Sequence, residues 1–168
     1  MISNLLRGQR VRLNALSRSD APVMTLWEEV LLFLPLYSSH LARPRSEGAV
    51  AEWIEASGKA PDEIVLAIRL IEDNKLIGML GFHGIEWANQ VAWLSIGIGD
   101  SGYWGQGYGY EATQLALAYA FNEFNLYRLN LTVFSYNSRA IKLYEKCGFK
   151  REGVLRECLQ RDGQRHDI

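Results

Sequence analysis

"GYWGQGYGYEAT" (residues 102–113) places glycine at every second position, Gly105, Gly107 and Gly109, and then changes into a helix-like run. A helix N-terminus presents several unpaired N–H groups and a partial positive charge. With no Cβ atoms in front of it, an anion can approach the backbone closely. Here Gly105 leads into Gln106, Gly107, Tyr108, Gly109 and Tyr110, whose N–H groups would face such an anion. The stretch alone leaves three readings open. The first is a tight turn with no ligand. The second is a dinucleotide fingerprint, since "GYGYEA" fits G-x-G-x-x-A. The third is a pyrophosphate loop for a nucleotide-tailed acyl carrier. The fingerprint belongs in a first βαβ unit and wants an acid about twenty residues later. This stretch lies well past the middle of the chain, and the next strand, "YRLNLTVF" (127–134), carries no acid.

On the N-terminal side, "RVRLNAL" (10–16) alternates and predicts a first strand. "SRSD" (17–20), with capping residues Ser17 and Ser19, opens a helix through Trp27 to about Phe33, which Pro35 stops. A second helix starts at Ser46 and carries Val50, Trp53 and Ile54 on one face; the loop between the two holds Tyr37, His40 and Arg43. "IVLAIRLI" (64–71), the turn "EDNK" and "LIGMLGFHGI" (76–85) form a hairpin, and "QVAWLSIGIG" (90–99) is the third strand of that meander. A helix over 107–123 and the strand 127–134 make a parallel crossover, which should be right-handed. "NSRAIKLYEKCG" (137–148) is a short helix with Asn137 at its cap and Gly148 past its end. "FKREGVLREC" (149–158) predicts a strand, and "RDGQ" (161–164) a hairpin turn. The fold class is α+β, a mixed sheet flanked by helices, in a single domain over 1–168.

The bulk composition is that of an ordinary soluble globular protein, 48% apolar and 22% charged. A net charge of −1 argues against a nucleic-acid binder, which would carry a basic excess. The longest apolar run, "VLLFLPL" (30–36), is broken by Pro35 and too short to span a bilayer, so no membrane role is expected. No apolar run precedes a cleavage-like site near the N-terminus. Cys147 and Cys158 lack metal-site spacing and are too few for a disulfide scaffold, which points to a cytoplasmic location and no metal.

Two segments together resemble the GNAT acetyltransferase superfamily. "GYWGQGYGYEAT" resembles its pyrophosphate-binding segment, and "NSRAIKLYEKCGF" (137–149) its N-x-x-A-x-x-L-Y-x-x-x-G-F segment, in the right order with one strand between. The nearest subgroup is that of ribosomal-protein N-terminal and spermidine acetyltransferases. The similarity is specific over 90–153 and follows the element order over 8–168. In place of the superfamily's frequent Gln or Arg stands Trp104, expected to pack rather than bind. The superfamily fold ends on one further long strand between the two preceding ones. "QRHDI" (164–168) is the beginning of one, which a continuation or a partner chain would complete.

The resemblance implies acetyl transfer from acetyl-CoA to a primary amine, a protein N-terminus or a small molecule, in one ternary complex. A polyamine-specific enzyme or a non-catalytic acetyl-CoA-binding module are the alternatives. It also implies backbone contacts from Ile96, Gly97 and Ile98, where Gly97 and Gly99 mark a bulged strand splayed from 127–134. Had those glycines no such role, they would pack under a tryptophan such as Trp93. The resemblance makes Tyr144 the general acid toward the leaving thiolate, on a helical stripe with Ala140 and Cys147, and gives Asn137 and Ala140 contacts to the pantetheine. Glu86, His83, Asp100, Glu28 and Glu29 are available as bases and none is assigned. The acceptor would meet Trp27, Phe33, Tyr37, His40 and Trp53, with Glu28, Glu29, Glu47, Glu52 and Glu55 available to a polyamine. An open slot in the sheet invites a second chain, so a homodimer is expected.

Overall fold

The computed structural model describes residues 4–29, 33–41 and 43–168. Strands β1 (Val11–Ala15), β2 (Ile64–Leu70), β3 (Leu76–Glu86), β4 (Val91–Ile98) and β5 (Arg128–Asn130) form one sheet in that order. All pairings are antiparallel except β4 with β5, which are joined through helix α4 (Tyr108–Asn122) and run parallel. Alternation along the strands sends neighbouring residues to opposite faces. Leu66, Ile68, Leu80 and Phe82 go to one face, where fully buried Ala112, Ala116 and Ala120 let α4 lie close. Ala67 and Met79 go to the other, under α1 (Ala21–Glu29) and α3 (Glu47–Ser57). The result is a mixed sheet between two helical layers, as the sequence predicts.

The first helix departs from expectation. A 3-10 turn over Arg18–Asp20 precedes α1, whose expected extension to Phe33 runs through 30–32, outside the described residues. Pro35 lies within a helix of its own. It sits in the first turn of α2 (Leu34–Tyr37), where no intrahelical N–H is required, and Tyr37 therefore lies on a helix rather than in a loop. Asp20 anchors this region. Its carboxylate accepts from Arg69 Nη2 on β2 at 2.6 and 2.7 Å, and from the Ser17 N–H at 2.8 Å. α3 starts as predicted, with Ser46 Oγ accepting from the Ala49 N–H.

The C-terminal strands also differ. β5 stops at Asn130, and 149–158 forms no strand. Extended backbone becomes sheet only when a ladder partner lies beside it. Here Leu155 exchanges both bonds with Ile168 (2.8 and 3.0 Å), and the Ser135 N–H donates to the Asp167 carbonyl (3.0 Å). The last two residues thus stand between the two segments, following the short hairpin β6 (Leu159–Arg161) and β7 (Gln164–His166).

Candidate active site

The predicted phosphate loop takes the shape its glycines allow. Gly105 (φ +74°) and Gly107 (φ +88°) are left-handed, the second as the residue before α4. The first bond into the helix runs from the Glu111 N–H to the Gly107 carbonyl, so the amides ahead of it have no intrahelical acceptor. A Cβ on Gly109 would meet nothing nearer than 3.7 Å, so the protein itself leaves space there. The loop is pinned from outside. Glu111 accepts from the Arg10 and Val11 N–H groups (2.8 and 3.2 Å) and from Arg10 Nε, while Arg10 Nη1 donates to the Gln106 carbonyl. Burial works to raise the Glu111 carboxyl, but these hydrogen bonds outweigh it and hold it below the usual range. Glu111 is thus a clamp between β1 and the loop, which its place in the first helical turn does not reveal.

Facing the loop is α5 (Ser138–Lys146), capped by Asn137 Oδ1 accepting from the Ala140 N–H at 3.2 Å. Between loop, α5 and β4 opens a cavity of about 320 Å3. Of the predicted residues, Ile96, Gly97, Ile98, Gly105, Gly107, Gly109, Tyr110, Asn137, Ala140 and Tyr144 line it. Gln106 and Tyr108 do not: the Gln106 side chain donates to the Gly102 carbonyl, and Tyr108 lies under Arg10 and against Tyr103. Three cations the motifs did not single out line it as well, Arg139, Lys142 and Lys146 of α5. Their spacing puts them on one helical flank, a signal available in the sequence.

β4 does splay from β5, whose ladder ends at Trp93↔Asn130, but β4 itself carries no bulge. The irregularity lies on β3 between His83 and Glu86, at Gly84 (φ +53°). Gly99 N–H bonds the Ile77 carbonyl, so alternation directs the backbone groups of Gly97 toward β3 and those of Ile96 and Ile98 toward the opening. The glycines answer to aromatics other than Trp93. A Cβ on Gly97 would come within 2.8 Å of Phe33 and Tyr37, and one on Gly99 within 2.0 Å of Trp27. Trp104 does more than pack: its indole N–H donates to the freed Ile98 carbonyl at 2.6 Å, and Arg139 lies 4.1 Å over its ring.

A second cavity, about 890 Å3, lies toward α2, residues 38–41 and 43–45, the 132–134 segment, and Cys158 and Ile168 on either side of the C-terminal hairpin. It shares Phe33, Tyr37, Ile96, Asn137 and Tyr144 with the first. Burial, with smaller contributions from Tyr37 and Cys147, pushes the Tyr144 hydroxyl up to about 12. Of the predicted acceptor residues, Phe33, Tyr37, His40 and Trp53 line this cavity and Trp27 does not. Of the five glutamates only Glu28 reaches it, and Arg45 holds it at 2.5 Å. Glu55 pairs with Arg18 on the surface, and Glu29, Glu47 and Glu52 are exposed. Among the bases considered, Asp100 pairs with Lys75 and Glu86 bonds Asn89, whereas His83 faces the cavity. Among the described residues no cluster of His, Cys, Asp or Glu is placed to hold a metal ion, and no helix is long and apolar enough to cross a membrane.

The chain matches known proteins over this whole frame. The family model of the acetyltransferase (GNAT) domain matches residues 10–150. A prophage-derived uncharacterized N-acetyltransferase of Bacillus subtilis is 28% identical over 95% of this chain and 87% of its own length. A spermidine N(1)-acetyltransferase of Vibrio cholerae is 33% identical over 59% of this chain and 58% of its own length, less than two thirds of that relative. The crystal structure of spermidine N-acetyltransferase from Vibrio cholerae in complex with CoA and spermine superposes with a TM-score of 0.85 at 25% identity, covering 94% of this chain and 90% of that one.

Proposed function

The chain belongs to the GNAT acetyltransferase family, and from that premise we propose that it moves the acetyl group of acetyl-CoA directly to a small primary amine in a ternary complex. The observation that carries this reading is Tyr144 on the wall shared by both cavities. Acetyl-CoA supplies a thioester carbonyl and a thiol leaving group. The unpaired amides ahead of Glu111 and the cations Arg139, Lys142 and Lys146 suit its phosphates, and the room at Gly109 suits their close approach. Ile96 and Ile98 direct backbone groups into the β4–β5 opening, where an N–H can stabilise charge on the carbonyl oxygen. Asn137, whose side chain caps α5, borders the same opening. Tyr144, protonated at neutral pH, holds a proton for the leaving sulfur.

The acceptor cavity favours a single amino group over a long polyamine. Both carboxylates known to line it are engaged, Glu28 with Arg45 and Glu63 with His83. The test is thiol release from acetyl-CoA with small monoamines, spermidine and peptides with free N-termini. Turnover highest on small amines is the expected result. Tight acetyl-CoA binding with no amine-dependent release would instead mark a non-catalytic binding module. In the same assay Gly107→Ala raises the acetyl-CoA KM several-fold, because a left-handed φ costs a non-glycine residue about 1–2 kcal/mol and the new Cβ stands 3.1 Å from Arg10 Nη2. An unchanged KM would detach the loop from donor binding.

The same proposal includes a cytoplasmic homodimer, supported by the two free cysteines and by the sparsely paired segments 131–135 and 149–155. Light scattering at micromolar concentration should give twice the chain mass; a monomer mass would rule the dimer out.

A further inference from the structure

Within that acetyl-transfer reading, on which it rests, we propose that Ser95, His83 and Glu63 form a proton relay that takes the proton from the acceptor ammonium. Ser95 Oγ lies 2.6 Å from His83 Nε2, and His83 Nδ1 lies 3.0 Å from Glu63 Oε1. The Tyr37 hydroxyl is 3.2 Å from Ser95 Oγ, on the cavity side. The three residues come from β4, β3 and the segment before β2, and cross-strand register brings them together. Gly81 pairs with Ser95, and His83 lies two residues on, so all three share a face. Gly81 is where the imidazole rests: a Cβ there would come 2.5 Å from His83 Nε2.

A hydrogen-bonded chain can merely satisfy buried polar groups, but this one is not buried at its outer end. The side chains of His83 and Glu63 are 37% and 25% exposed, so water could serve both. What the chain does is connect that wet end to the cavity that Tyr144 lines. The other titratable or charged side chains facing it are Tyr37 from α2, Tyr144 from α5, and Arg45 with Glu28 across the cavity; exposed His40, Arg43 and Cys158 also line that cavity. Burial raises Tyr37, a shift its bond to Ser95 partly offsets, which leaves Tyr37 a neutral hydrogen-bonding guide.

The chemistry needs such a group, since an amine is mostly ammonium at neutral pH and cannot attack until it loses a proton. That proton passes to Ser95 Oγ as the Ser95 proton passes to His83 Nε2. Ser95 is unchanged, the amine is neutral, and His83 is an imidazolium paired with Glu63. Solvent takes the proton from its exposed edge. As the C–N bond forms and the C–S bond breaks, the amine's second proton replaces the one Tyr144 gives to sulfur. One proton per turnover therefore leaves through His83. Glu63 is a positioning residue: by accepting from Nδ1–H it keeps the Nε2 lone pair on Ser95.

The experiment is a pH profile of kcat with both substrates saturating, for wild type, His83→Gln, Ser95→Ala and Glu63→Gln, each first checked for wild-type acetyl-CoA affinity. His83→Gln is expected to lose about 10²-fold in kcat together with the acid limb. Ser95→Ala, a smaller change that keeps the imidazole, should also lose the limb. Glu63→Gln should lower kcat with the acetyl-CoA KM unchanged, because the carboxylate that faces the imidazolium during the transfer is gone. An acid limb and kcat unchanged in His83→Gln or Ser95→Ala overturn the relay. Imidazole nitrogen NMR on the acetyl-CoA complex needs no acceptor. A neutral His83 carrying its proton on Nδ1 supports the relay, and one carrying it on Nε2 overturns it even if every amine in the panel fails.

Discussion

In Tyr144→Phe, kcat falls about 10²- to 10³-fold while acetyl-CoA affinity changes by less than about twofold. The substitution removes one oxygen and leaves the ring in its edge-on contact with Phe149, 5.9 Å between centroids, so the cavity wall stands. What disappears is the only part of the side chain that can hand over a proton. Burial is the main cause that raises this hydroxyl to about 12, with Tyr37 and Cys147 adding to it. The donor therefore stays protonated through the whole working range, and the basic limb of kcat should lie above pH 10. The same shift has a sign in stability. The buried phenol keeps its proton where the unfolded chain has lost it, so wild type should lose stability relative to Tyr144→Phe as pH rises from about 10 toward 12. Near-wild-type kcat with unchanged KM would remove Tyr144 from the chemistry.

Asp20→Ala should cost about 3–5 kcal/mol of folding stability, read as a lower urea midpoint at constant m. Asp20 is 6% exposed, and the Arg69 side chain that grips it 11%. Without the carboxylate, the guanidinium keeps Asn14 Oδ1 and a long contact to the Asn74 carbonyl, neither of which carries a charge. A loss of this size is a large part of a typical domain's 5–15 kcal/mol, roughly speaking. It would loosen α1 from β2, and with it the Trp27 ring that rests on Gly99. Adding Arg69→Met should recover part of the loss, since the orphaned charge causes most of it. A loss below about 1 kcal/mol would place the pair with ordinary surface bridges.

The residues read correctly from the sequence are those whose geometry is local. Glycines before a helix, an asparagine capping one, and alternation along three hairpin-linked strands each express backbone preferences within a few residues. That is why the left-handed glycines ahead of α4, the cap at Asn137 and the meander stand where the spacing puts them. Proline is local too, but it has two meanings, and Pro35 opened a helix where it was expected to end one. The strands at 127–134 and 149–158 are shorter or absent because alternation signals an exposed and a buried face, not a ladder partner.

The amino-acid sequence by itself determined the family and the donor, because both are carried by two contiguous motifs, and it placed the glycine loop ahead of α4. The tertiary structure decided the rest of the site. The opening between β4 and β5, the indole of Trp104 on the Ile98 carbonyl, the clamp of Glu111 on Arg10 and the line from Ser95 through His83 to Glu63 all join residues distant in the chain. Their partners are set by strand register and by which aromatic ring lies on which glycine. Such contacts are selected by the packing of the whole sheet between its helices, and no short stretch of sequence encodes that choice.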